Sequence, residues 1–382
     1  MRFGPAWVAV IVLGAIGVGR AAACDVPVFR YALERWPPSY YGLVVFHRGG
    51  LAEGPKKVAD WLKQCGNSEE TPCNVDVYLA DVDDPNLPEA VTELRKQQKD
   101  LALPWMVACY PRRWGPLLPA WAGPVTAANA KALVDSPVRQ EIARRIVAGE
   151  TAVWVLLEGG DKAKDDAAEK LVQSELKELS TELRLPIPAA ALYPGADEDE
   201  LPPGPPLKIA FSTLRLSPKD PNERLLVELL LNTEEDLRTD YASDPKVFAF
   251  FGRGRSMLAL VGEGINEDNV AAVCEFLVGR CSCQVKEQNP GVDMIFAVDW
   301  LAGFEEEGYT APPLPDLIVP VAATSAPAAA MAARAELPGA PLAVQPPAGG
   351  GLLLQTTLIA LGCIGLAAAV LVVWFTRRPS RS

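Results

Sequence analysis

Short apolar runs of strand length alternate along this chain with stretches whose apolar residues recur every three or four positions, and the alternation occurs twice in the same order. The first series runs YGLVVFH (41–47), a helical pattern with Val58, Trp61 and Leu62 on one face, NVDVYLADV (74–82), a helix over 88–98, PWMVACY (104–110), a partner strand LLPAWAG, and helices over 126–134 and 137–147. The second runs AVWVLL (152–157), a helical pattern with Ala168, Leu171 and Val172, LKIAFSTLRL (207–216), a helix over ERLLVELLLN, KVFAFF (246–251), MLALVGEG and a helix over EDNVAAVCEFLVG. Such alternation predicts a layered α/β architecture. Val58, Trp61 and Leu62 map onto Ala168, Leu171 and Val172 at a constant offset of 110, as Gly49-Gly50 does onto Gly159-Gly160. Pro104 and Pro245, like Gly123 and Gly264, are separated by 141. The expectation is two copies of one module, 24–150 and 151–308.

The two ends depart from this pattern. MRFGPAWVAVIVLGAIGVGRAAAC has an early arginine, an uncharged apolar run over 6–19 and an A-x-A site at Ala21-Ala22-Ala23, which reads as a signal peptide over 1–23 with the mature chain starting at Cys24. A lipoprotein acylated on Cys24 is the rival, although it would ordinarily carry leucine where Ala21 stands. Leu352 to Phe375 is 24 residues without a charge. A helix of that length, rising about 1.5 Å per residue, crosses a hydrocarbon core of about 30 Å. Arg377, Arg378 and Arg381 follow it, so the tail over 376–382 is expected in the cytoplasm. Residues 309–351 are rich in Pro and Ala with few aromatics, the composition of a disordered tether. The chain is thus expected in the cell membrane as a single-pass protein, with its N-terminal part extracytoplasmic (periplasmic). A net charge of −12 opposes binding to nucleic acid, whose phosphates supply most of the attraction in such complexes.

Strand, turn, helix, strand, helix, then Leu103-Pro104 opening a hairpin before a last helix, resembles the thioredoxin fold. In that family a cis-proline starts the first strand of the hairpin; Pro104 in LPWMVACYP stands in that place, and Pro245 in DPKVFAFF is its counterpart in the second copy. The resemblance covers most of 24–308 and implies two tandem thioredoxin-like modules. The family's C-x-x-C opens the first helix, where this chain carries HRGGLAEG (47–54) and LEGGDKAK (157–164), neither with a cysteine. The resemblance therefore implies modules without the family's redox chemistry, because the attacking and the resolving thiol are both absent.

His47 is the single histidine and stands at the end of the first strand, a common ligand-binding position in α/β sheets, or else a capping residue. Arg112 and Arg113 in YPRRWG, and Arg253 and Arg255 in FFGRGRSM, make both hairpin tips basic: candidate contacts for an anion or a partner's carboxylates, or solvated tips. Cys65 and Cys73 bound the loop CGNSEETPC and are the first expected disulfide. CEFLVGRCSC places Cys274, Cys281 and Cys283 within ten residues. In an oxidising compartment the commonest use is a staple of Cys274 to Cys281 or Cys283, the third pairing with Cys24 or Cys109 or staying free. By offset, Cys281 and Cys283 would open a helix, whose free N–H groups favour a thiolate. Three thiolates could also hold a metal, although the paired C-x-x-C of structural zinc is missing.

H-E-x-x-H, G-x-S-x-G, Walker A and Rossmann fingerprints are absent, so no cofactor and no resident metal is expected. The sequence favours a membrane-anchored extracytoplasmic binding or assembly component over an enzyme, partnered by other membrane or envelope proteins. The rivals are a thiol-disulfide oxidoreductase acting through Cys281 and Cys283, and a metal-handling protein using Cys274, Cys281 and Cys283.

Overall fold

The computed structural model describes residues 24–68, 72–98, 102–111, 116–186, 207–281 and 285–301, with only the backbone at positions 24 and 25. The expected signal peptide (1–23), tether (309–351), membrane helix (352–375) and tail (376–382) lie outside these residues, as do Arg112, Arg113 and Cys283. No helix among the described residues is long and apolar enough to cross a membrane.

The described chain is mixed α/β. Strand β1 (Cys24–Pro27) and helix α1 (Val28–Arg35) precede β2 (Tyr41–His47), α2 (Glu53–Gly66), β3 (Val75–Asp81), α3 (Glu89–Gln97), β4 (Trp105–Cys109) and β5 (Pro119–Pro124). Then come α4 (Ala127–Val134), α5 (Pro137–Val147), β6 (Ala152–Leu157), α6 (Lys162–Glu182), β7 (Phe211–Leu216) and α7 (Arg224–Leu231). The last elements are β8 (Lys246–Phe251), β9 (Arg255–Ser256), β10 (Leu260–Val261), α8 (Glu267–Val278), β11 (Arg280–Cys281) and β12 (Val292–Asp293). Three of the helices start after a short polar side chain that accepts an orphan N–H group. Thr126 accepts from Asn129 N at 3.2 Å, Asp161 from Ala163 N at 2.9 Å, and Asn266 from Asn269 N at 2.9 Å. Pro137 opens α5, where its missing N–H costs nothing.

The first sheet has the order β3-β2-β4-β5. β2 runs parallel to β3 with Val44 opposite Tyr78, and antiparallel to β4 with Val44 opposite Val107. The second sheet repeats these pairings: β6 is parallel to β7 and antiparallel to β8, and β8 is antiparallel to both β9 and β10. β6 is buried along its whole length, because helices cover both faces, and it therefore reads as an unbroken apolar run. On the first sheet, α2 and α4 cover the face of Leu43 and Val45, while Val91 and Leu94 of α3 cover the face of Val44 and Phe46. On the second, α6 and α8 cover Ala152, Trp154 and Leu156, and α5 and α7 cover Val153 and Val155.

The two sheets share one core through exchanged ends. α1, which precedes the first sheet in sequence, buries Val28, Phe29 and Ala32 against the second sheet. The segment 294–300, which follows the second sheet, buries Met294, Ile295, Phe296, Val298 and Trp300 in the core of Tyr41 and Leu43. Tyr41 donates its hydroxyl to Asp293 O at 2.9 Å, and Asn74 donates to Met294 O at 3.0 Å while accepting from Phe296 N at 2.9 Å. Packing thus crosses the boundary at 150/151 in both directions.

Two local expectations change. MLALVGEG pairs only over Leu260 and Val261, because Gly262 (φ +51°) diverts the chain into a tight turn at Gly262–Gly264. The Gly252-Arg253-Gly254 tip is not solvated. A Cβ on Gly252 (φ +56°) would stand 2.6 Å from the Ala32 Cβ of α1, and one on Gly254 (φ +77°) 2.5 Å from the Phe296 ring. Glycine is required there by close approach as well as by backbone conformation.

Candidate functional site

The carboxyl ends of β2 and β3 carry a polar turn with Arg48 and Asp83 exposed. His47, the last residue of β2, stands opposite Asp81 of β3. Its Nδ1 lies 2.6 Å from Gly49 O. Gly49 (φ +62°) turns its N–H onto Asp81 Oδ2 at 3.1 Å, and Asp83 N donates to Asp81 Oδ1 at 3.1 Å. The Asp81 carboxyl is held below its ordinary value, first by the Asp83 N–H, then against a smaller burial penalty by the Gly49 N–H and the charges of His47 and Arg48. Arg48 and Asp83 pair at 3.0 Å with side chains 66% and 62% exposed, so the pair adds little stability and both charges face solvent. The β2–β4 register ends with Phe46 opposite Trp105, the residue after Pro104, and Leu103–Pro104 is a cis bond.

The equivalent turn of the second sheet is closed. Asp165, a buried residue in the first turn of α6, accepts from Gly159 N at 2.8 Å and Gly160 N at 3.2 Å, filling the place an anion would take. A Cβ on Gly159 would lie 2.5 Å from Ser243 O, so the turn is pressed onto the segment before β8. Buried Lys246 donates to Tyr241 O at 2.6 Å and Asp244 O at 2.8 Å. The Asp244–Pro245 bond is trans, so Pro245 does not reproduce the cis bond of Pro104. At the His47 turn the exposed charges are Arg48 and Asp83; at the other, Asp161 and Lys162 are exposed beside the buried Asp165.

The two arginines of the second hairpin, Arg253 and Arg255, have partners within the fold. Arg253 donates to Leu33 O at 2.7 Å and Glu34 O at 2.8 Å, capping the carboxyl end of α1. Arg255 is buried and donates to Pro290 O, Asn289 O and Asp293 Oδ1. The sequence suggested exposure because glycines flank Arg253. The carbonyls that hold Arg253 come from residues more than 200 positions away, those that hold Arg255 from 34 and 35 positions away.

Cys65, Cys73, Cys109, Cys274 and Cys281 are buried, and none of them lies in either turn. Cys65 and Cys73 are side by side in the core, with Cys73 N donating to Cys65 O at 3.0 Å. Cys109 lies under α3, and burial pushes its thiol up to about 12. Cys274 is buried on α8, its thiol likewise raised by burial. Cys281 does not open a helix. It lies in β11, buried, with its Cα opposite that of Cys24 in β1, so the helix N-terminus that would favour a thiolate is not there. Among the described residues no three His, Cys, Asp or Glu side chains gather as a metal site.

Sequence reasoning missed the buried polar groups that join the two halves. Arg139 of α5 donates to Leu133 O at 2.6 Å, to Ala132 O and to Ile295 O at 3.1 Å; burial lowers its guanidinium to about 10. Glu223, just before α7, accepts from Val138 N at 2.7 Å and so caps α5. Asp293 accepts from Arg255, Lys286 and Ser39 N. The one available signal was a lone charge inside an apolar stretch, as in GVDMIF.

No protein-family model, curated protein or solved structure matches the chain.

Proposed function

We propose that this chain is a membrane-anchored extracytoplasmic binding or assembly protein, built on two thioredoxin-like modules that have no redox chemistry of their own. The order of strand pairing in both sheets, α2 and α4 on one face of the first sheet with α3 on the other, and the cis Leu103–Pro104 bond support the thioredoxin-like reading. One observation carries the function: both strand-end turns hold glycines satisfied by carboxylates, Asp81 and Asp165, while the described cysteines are buried elsewhere. A thiol that stays protonated and out of solvent is no nucleophile. The exposed turn at His47, Arg48, Asp81 and Asp83 is the binding site of this reading, and its partner is another envelope protein read through charge complementarity.

The test is affinity capture of the full-length chain from detergent-solubilised membranes, beside Arg48→Glu and a charge-reversed pair, Arg48→Glu with Asp83→Lys. A protein partner retained by the parent and lost on Arg48→Glu is the expected result. Catalytic turnover of a mixed-disulfide substrate that disappears with Cys281→Ser would overturn the proposal.

A further inference from the structure

The region around Cys73 holds three layers of the fold together. Cys65 is in the last turn of α2, and Cys73 stands just ahead of β3. The two thiols are in hydrogen-bond contact, and both residues are buried. Their separation is set by rigid neighbours: a Cβ on Gly66 would lie 2.3 Å from Val75 O, so the end of α2 is pressed directly onto the start of β3. On the other side, Pro72, Cys73 and Asn74 each hold the returning C-terminal segment. Val298 N donates to Pro72 O at 3.1 Å, Ala297 bridges Cys73 in antiparallel fashion, and Phe296 N donates to Asn74 Oδ1 at 2.9 Å.

We propose that Cys65 and Cys73 are a disulfide site whose closure locks the C-terminal segment 294–300 onto the first sheet. The loop spacing alone predicts a cross-link across an exposed loop; the bridge from Cys73 to Ala297 in that segment gives it a second role. Forming it joins the two sulfurs and removes two protons and two electrons, which pass to an acceptor disulfide that leaves as two thiols. Attack requires a thiolate, and burial raises the Cys73 thiol, so oxidation belongs to the folding chain before segment 294–300 covers it. After closure, the same cover keeps reductant out. The cross-link shortens the excursions of residues 72–74 and so steadies the three backbone positions that grip the segment.

The full-length chain, isolated from an oxidising compartment and treated with N-ethylmaleimide in denaturant, should yield on non-reducing digestion a Cys65–Cys73 peptide lighter by two hydrogens and free of the label. Amide exchange at Phe296 and Val298 should be about tenfold slower before than after reduction. Cys65→Ser with Cys73→Ser should match the reduced chain; if that variant fails to fold, the comparison of the parent before and after reduction decides alone. Folded reduced chain given oxidised glutathione should close more slowly than chain refolded in its presence. Labelling of both thiols, a link from either cysteine to another residue, or exchange at Phe296 and Val298 unchanged by reduction would overturn the proposal.

Discussion

Replacing Asp293 by alanine tests whether the exchanged C-terminal segment holds the fold together. Its carboxylate accepts from Arg255 Nη1 at 2.9 Å, Lys286 Nζ at 2.7 Å and Ser39 N at 2.8 Å, with only 4% of the side chain exposed. Burial alone would raise this carboxyl, but the charges of Lys286 and Arg255, with hydrogen bonds from Lys286 and the Ser39 N–H, outweigh it and hold it below the ordinary value. Removing the anion leaves two cations in a site they cannot easily leave. Breaking a buried pair from one side costs about 3–5 kcal/mol. Arg255 keeps the carbonyls of Pro290 and Asn289, and Lys286 keeps Pro37 O, so the loss should fall near the lower figure. At a urea slope of about 3 kcal/mol per molar, the unfolding midpoint should drop by about 1 M. The sign with pH is fixed by the depressed folded value: this stabilisation is fully present above the unfolded carboxyl value of about 3.9 and is lost as pH falls through the folded one. The gap between parent and Asp293→Ala should therefore narrow as the titration goes below about pH 4. Replacing Asp293, Arg255 and Lys286 together by methionine should recover most of the loss. A midpoint shift of less than about 0.3 M at neutral pH, or a gap that stays constant into acid, would refute the reasoning.

Three further outcomes follow from the same packing. Gly252→Ala forces a positive-φ position and a contact with the Ala32 Cβ, so it should cost about 1–3 kcal/mol and expose α1 to limited proteolysis. Glu223→Ala removes the acceptor at the start of α5 and should lower stability by about 1–2 kcal/mol in chemical denaturation, whereas Arg48→Glu at the exposed turn should stay within about 0.5 kcal/mol. Phe296→Ala takes away a ring packed edge-on to Phe250 (6.1 Å between centroids) and Trp300 (5.3 Å). It should cost about 3–5 kcal/mol while circular dichroism and tryptophan fluorescence still report one coincident transition, because both sheets draw on that core.

What the sequence disclosed was what the chain does locally. β2, β6 and β8 are visible as apolar runs because sheets covered on both faces demand them, and α2 and α6 as spaced apolar faces at one offset. The glycine pairs after β2 and β6 recur, but positive φ falls on the first glycine of one turn, Gly49, and on the second of the other, Gly160, so the two turns are built differently. Nothing local distinguishes Asp81, a half-buried carboxylate on the next strand, from Asp165, a fully buried one in the helix that follows; yet that difference leaves one turn open and the other filled. β1 and α1 escaped notice because their partners, Gly279 O for Val28 N and the second sheet for Phe29, lie across the whole folded chain.

The basic hairpin tip shows how such long-range packing reverses a local reading. Glycines beside arginines describe equally well a solvated anion site and a surface pressed against another segment, because both need backbone without side chains. The choice between them is made by α1, which covers Gly252 and offers the carbonyls of Leu33 and Glu34 to Arg253, and by the stretch 293–300, whose Phe296 covers Gly254 and whose Asp293 pairs with Arg255. The N-terminal segment and the C-terminal one thus meet on the same hairpin from opposite sides. Loosening either should release the arginines of β9 and its turn together, so the fold is held by its two ends, and charge that seemed offered to a partner is used within.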